Sequence, residues 1–123
     1  RHVEDQSGLQ LDENHFGMGR VRTDEDGNYR FWAISPGAYL ARPDIGRWRP
    51  KHIHLSVSGG SSRLITQMYF PDEPNNATDP MAILMGDAFE CNIGKPYDVS
   101  GQEVEQGFTF DIVVGGKNAT FFE

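Results

Sequence analysis

Cysteine is almost absent from this chain. Cys91 is the only one in 123 residues, so no internal disulfide can form and nothing points to an oxidising compartment. Cytoplasmic residence is the default expectation. Also missing is any apolar run near the roughly 20 residues of a membrane span, and no signal peptide is visible. Positive charge is scarce: 11 Lys and Arg against 18 Asp and Glu leave a net charge of -7. Nucleic acids and anionic membranes are therefore not expected partners, because both need clustered cations to displace counterions. A local arginine can still oppose that global sign toward a small anionic substrate. Repeats, linkers and low-complexity tracts are absent as well. Asp24 and Asp26 lack the full ligand spacing of a helix-loop-helix calcium site and read as turn residues. With 37% hydrophobic and 11% aromatic residues, the chain is long enough for one core and too short for two. A single domain over residues 1–123 is expected.

What is present is a series of short alternating runs cut by turn chemistry. Residues 19 to 23 lead into Asp24-Glu25-Asp26-Gly27-Asn28, where Asp-Gly supplies the positive φ of a tight hairpin, and Tyr29 to Ile34 forms the return strand. Pro36-Gly37 ends that pairing. Residues 51 to 58 alternate so that His52, His54 and Ser56 share one face while Ile53, Leu55 and Val57 share the other. After Gly59-Gly60, residues 62 to 70 set Leu64, Thr66, Met68 and Phe70 opposite Ile65, Gln67 and Tyr69. Pro71 to Pro80 is a polar loop, and Met81 to Met85 has the residue types for one or two helical turns before Gly86. Phe108, Phe110, Ile112 and Val114 line one face of a last long strand, which turns into a short edge at Ala119-Thr120-Phe121-Phe122. The pattern predicts an all-β fold, a β-sandwich or open barrel of short, mostly antiparallel strands with at most a short helix.

Chemistry concentrates between residues 36 and 54. Tyr39 follows a Pro-Gly turn, and Arg49, His52 and His54 come shortly after it, which groups a phenol, a guanidinium and two imidazoles. Each has a plainer reading. Tyr39 can be a core tyrosine with its hydroxyl on a carbonyl, Arg49 a surface salt-bridge partner, and His-x-His a solvated sheet face. Gln67 can sit on a solvated face too, since a buried amide costs free energy unless its partners are supplied. His2 and His15 lie in polar, loop-like sequence and read as surface residues. Taken together the four types favour a metal site. Imidazole accepts zinc, copper or iron, whereas an ionised phenolate is a hard oxygen donor that favours Fe(III).

Laid out in order, Gly19-Arg20, Thr23-Asp24, Asp26-Gly27, Pro36-Gly37-Ala38-Tyr39, Trp48-Arg49-Pro50-Lys51-His52-Ile53-His54, Leu64 to Phe70, Phe110-Asp111-Ile112 and Phe121-Phe122-Glu123 resemble the intradiol ring-cleavage dioxygenases, closest to the protocatechuate 3,4-dioxygenase group. The resemblance runs through almost the whole chain, and its specific core is Arg-Pro-x-His-Ile-His after Pro-Gly-x-Tyr. It implies a β-sandwich catalytic domain with non-haem Fe(III) held by two tyrosines and two histidines. The implied reaction uses O₂ to cleave a catechol between its two hydroxylated carbons, giving a cis,cis-muconate-type diacid with no reduced cofactor consumed. Tyr39, His52 and His54 match metal-ligand positions, with Tyr39 the ligand that leaves as substrate chelates. Arg49 matches the catalytic, charge-stabilising arginine, and Gln67 the glutamine lining the substrate pocket. Family precedent also implies a homo- or hetero-oligomer.

The resemblance has departures. The family's other tyrosine ligand falls immediately before Arg1, so the expectation is that residues 1–123 are the C-terminal part of a longer polypeptide that supplies it. Residues 86 to 106 depart from the family, and Leu40-Ala41 give no aromatic ring after Tyr39. Besides the enzyme, two readings stay open. One is a non-catalytic homologous subunit of a hetero-oligomeric dioxygenase. The other is a sandwich-type binding module whose His-x-His holds zinc or nothing.

Overall fold

A computed structural model of the chain describes residues 18–60, 62–115 and 119–121. Its centre is an antiparallel pair, β3 (His52–Ser58) and β4 (Arg63–Tyr69), in unbroken register from His52 opposite Tyr69 to Ser58 opposite Arg63. Directly opposed residues share a face, so the expected alternation holds on both strands. Ile53 opposes Met68 and Leu55 opposes Thr66 on one side, while His52 opposes Tyr69 and His54 opposes Gln67 on the other. The first side packs into the core. Met68, Phe70 and Phe110 are buried there, joined by Ile53, Leu55, Phe108 and Ile112. Phe70 meets Phe108 edge to face at 5.0 Å between ring centroids, and Lys51 Nζ lies 4.9 Å from the Phe70 ring.

Two smaller hairpins flank this pair. In the first, β1 (Tyr39–Arg42) is antiparallel to β2 (Arg47–Arg49), with Tyr39 opposite Arg49 and the register shifting between Leu40 and Arg42. The link between them is a 3₁₀ turn at Pro43–Ile45, closed by Gly46 at φ +62, a conformation that needs no Cβ. The second hairpin joins β5 (Lys95–Tyr97) to β6 (Gly107–Thr109). One helix, α1 (Pro80–Met85), starts with Pro80 in its first turn and stops at Gly86, φ +59. A 3₁₀ stretch, Gly86–Asn92, follows it and returns to β4. There Asn92 Nδ2 donates to Thr66 Oγ1 and Gln67 O, and Gly94 N–H donates to Tyr69 O at 2.8 Å.

The expected short antiparallel strands and single short helix are thus present, and no closed barrel forms among the described residues. No described helix is long and apolar enough to cross a membrane. Two expectations at the ends need correction. The turn at Asp24 forms as expected, with Asp24 Oδ1 accepting from Asp26 N and Asn28 N, and Gly27 at φ +80. Its flanks, residues 19–23 and 29–34, carry no ladder. Val21, Trp32 and Ile34 are exposed, and an isolated hairpin with no buried face gains too little from pairing. Tyr29 is tied to the core edge by its hydroxyl, which donates to Phe110 O. The last strand is also shorter than expected: β6 ends at Thr109, although Phe108, Phe110 and Ile112 reach the core face as anticipated. Beyond it Val113 N–H donates to Thr120 Oγ1 and Thr120 N–H to Val113 O, so a threonine side chain replaces one rung of a ladder.

Phe70→Ala removes a buried ring and two specific ring contacts. Denaturant unfolding is expected to show a loss of about 3 kcal/mol, with a smaller loss for exposed Ile83→Ala.

Candidate metal centre

The polar face of β3 and β4 is completed by the first hairpin. Because β2 runs into β3 through buried Pro50, the Tyr39–Arg49 pair lies beside His52. Tyr39 is 2% exposed and His52 3%, and their ring centroids are 5.7 Å apart. His54, one period along the strand, is exposed. The site is therefore closed at Tyr39 and His52 and open at His54.

The two imidazoles face each other through the atoms that bind metals. His52 Nδ1 is 2.8 Å from Pro50 O, an acceptor only, so Nδ1 carries the proton and Nε2 keeps its lone pair. His52 Nε2 lies 3.2 Å from His54 Nε2. Nitrogens about 2.1 Å from one ion, at an angle of about 90 to 109°, are separated by about 3.0 to 3.4 Å. The observed spacing is that of a hydrogen bond from His54 Nε2–H to His52 Nε2, and it is also compatible with two imidazoles on a single metal ion. Among the described residues no three His, Cys, Asp or Glu side chains converge; the groups that could hold a metal here are the two imidazoles and the Tyr39 phenol, whose ring centroid lies 5.7 Å from that of His52. That set suits a transition metal, and the phenol weights it toward a trivalent ion.

Arg49 organises the polar groups behind the site. Its Nε donates to Asp79 Oδ1 at 2.7 Å, and Nη2 reaches Asp79 Oδ2 at 3.2 Å. Nη2 also donates to Gln67 Oε1 at 2.8 Å and to the Tyr69 hydroxyl at 3.0 Å, while Nη1 donates to the Tyr39 hydroxyl at 3.3 Å. Tyr69 in turn bonds Asp79 Oδ2 at 2.8 Å. Asp79 itself is fully buried and caps α1, accepting from Ala82 N.

Protonation states follow from these contacts. Burial works against the Asp79 carboxylate, but hydrogen bonds from Arg49 and Tyr69 and the Arg49 charge outweigh it and hold the carboxyl below its usual range. Burial likewise opposes the Arg49 charge and is outweighed by Asp79, then Tyr39 and Tyr69, so the guanidinium stays protonated. Tyr69 is pushed the other way, upward, by burial and then by Asp79. It remains a neutral hydrogen-bond donor.

All five residues expected from sequence come together: Tyr39, Arg49, His52, His54 and Gln67. The plainer readings fail for two of them. Gln67 is 1% exposed rather than on a solvated face, and Arg49 is paired to a buried carboxylate rather than a surface one. His2 and His15 lie outside the described residues. Sequence reasoning missed Asp79 and Tyr69. Asp79-Pro80 before an apolar run is a helix-start signature that could have marked the cap, but nothing local signals its pairing with a residue 30 positions away.

Comparison with known proteins identifies the family of this chain as that of the intradiol ring-cleavage dioxygenases. A family profile described as Dioxygenase matches residues 1–116, and the chain belongs to that family. It is 41% identical over 126 aligned residues to the protocatechuate 3,4-dioxygenase beta chain of Burkholderia cepacia, covering 99% of this chain and 54% of the relative. The chain thus spans about half the length of that curated relative.

The Asp79 shift has a definite sign. A depressed folded pKa stabilises the fold at pH values above the carboxyl's unfolded value, about 3.9, and this stability is lost as pH falls through the folded value. Denaturant unfolding at pH 7 and pH 3 is expected to show a larger acid loss for the wild type than for Asp79→Asn.

Proposed function

We propose that this chain carries the metal-binding site of a non-haem Fe(III) intradiol dioxygenase acting on protocatechuate or a related catechol. The 3.2 Å approach of His52 Nε2 to His54 Nε2, with Tyr39 and Arg49 alongside, carries the reading. When bound, ferric iron would acidify a chelating diol and draw electron density from its ring. His52, His54 and Tyr39 would hold the ion. His52 is fixed by Pro50, and exposed His54 leaves its side open to an incoming diol. The Tyr39 oxygen, hydrogen-bonded to Arg49 Nη1, would take a proton that the diol gives up. Arg49 would stabilise negative charge developing on the substrate, and Gln67, held by Arg49 Nη2, is the substrate-binding amide of this reading. The balance closes without a reductant: one C–C bond breaks, and both atoms of O₂ enter the cis,cis-muconate-type diacid.

The same reading includes a β-sandwich built around β3 and β4, cytoplasmic residence, and a homo- or hetero-oligomer. The beta-chain name of the relative supports assembly with a second kind of chain. A non-catalytic subunit is disfavoured because Tyr39, Arg49, His52, His54 and Gln67 are all retained and converge.

The purified protein is expected to contain iron and show a broad visible phenolate band that shifts on anaerobic addition of protocatechuate or catechol. A colourless, iron-free protein overturns the proposal. His54→Ala is expected to lose the iron and the colour. Arg49→Ala should keep both while turnover falls about 100-fold; loss of colour in that variant would mark Arg49 as structural.

A further inference from the structure

The guanidinium of Arg49 is used unevenly. Its Nε–Nη2 edge is gripped by both oxygens of Asp79, at 2.7 and 3.2 Å, and Nη2 is further engaged by Gln67 Oε1 and the Tyr69 hydroxyl. A planar fork held along one edge cannot rotate, so its remaining nitrogen has a fixed direction. That nitrogen is Nη1, and it meets the Tyr39 hydroxyl. The carboxylate is itself immobile: it is fully buried, it accepts from Tyr69, and its backbone begins α1, with Ile83 N–H donating to Asp79 O at 3.0 Å.

We infer that Asp79 is a positioning residue for the dioxygenase reaction, locking the Nε–Nη2 edge of Arg49 so that Nη1 is presented to the Tyr39 oxygen and to negative charge arising beside it. This rests on the function proposed above. It also gives α1 a part in the site: the residue that starts the helix aims the arginine, so the 71–80 loop and the helix fix a group on β2.

The competing explanation is that Asp79 only caps the helix. Asn caps about as well as Asp but cannot give a guanidinium two anionic acceptors, so Asp79→Asn separates the roles. In the iron-loaded protein, Asp79→Asn is expected to keep the visible band and lower kcat by about 10- to 100-fold through misaimed Arg49, with KM changed far less. In an Arg49→Gln background the same substitution should change kcat little, because the group it acts through is gone. Equal losses in both backgrounds, or no loss in either, overturn the proposal. Should Asp79→Asn not fold, Asp79→Glu replaces it: the charge is kept, the carboxylate is displaced by one methylene, and the same fall in kcat is expected, with wild-type kcat overturning the inference.

A second readout needs neither iron nor turnover. In the metal-free protein the Arg49 Nε–H resonance should be resolved and slow to exchange, and Asp79→Asn should broaden it while the amides of α1 keep their protection. An unchanged resonance overturns the grip. If the wild type cleaves no catechol, the proposed function fails alone, and this resonance still decides the part played by Asp79.

Discussion

The antiparallel register of β3 on β4 is the constraint from which the rest follows. Because side chains alternate with a period of two, a slip of one residue would carry His52 and His54 to the core side and expose Ile53 and Leu55. Burial of Met68 and Phe70 against Phe110 therefore selects the register that also aligns the imidazoles with Gln67 and Tyr69. The hydrophobic effect, which has no direction of its own, fixes the direction of the two imidazoles.

The polar side of the same strands is stabilised differently. A carboxylate as buried as Asp79 would be costly alone, since removing one partner of a buried pair typically costs about 3 to 5 kcal/mol. Here the cost is met by full hydrogen bonding: Arg49 along one edge, Tyr69 on Oδ2 and Ala82 N at the helix start. Gln67 joins the same network, its Oε1 accepting from Arg49 Nη2. The charged pair gains its value through specificity of arrangement, because few placements satisfy so many donors at once.

Much of this was legible in the sequence where the signal is local. The alternation over residues 51–58 and 62–70 set the two central strands and their faces, and Pro36 to His54 supplied the donor types. The turn at Asp24 and the brief helix after Pro80 were legible for the same reason: Asp-Gly, Pro and Gly act within a few residues. What stayed hidden depends on distance. Residues 29–34 alternate like a strand yet carry no ladder, because pairing is decided by a partner and not by propensity. Asp79 looked like a loop residue, and its pairing with Arg49 is a tertiary fact. Gln67 could be flagged as a costly amide, but only the fold shows that its partners are present.

Pro50 has no donor or acceptor on its side chain, yet its carbonyl selects the tautomer of His52. Its ring also denies the backbone an N–H at the junction of β2 and β3, where the chain passes from one hairpin to the next. The hydrogen-bonding state of the His52 ring is thus written partly in main-chain torsions. A residue invisible to any inventory of reactive groups decides which nitrogen of a neighbouring ring is a Lewis base.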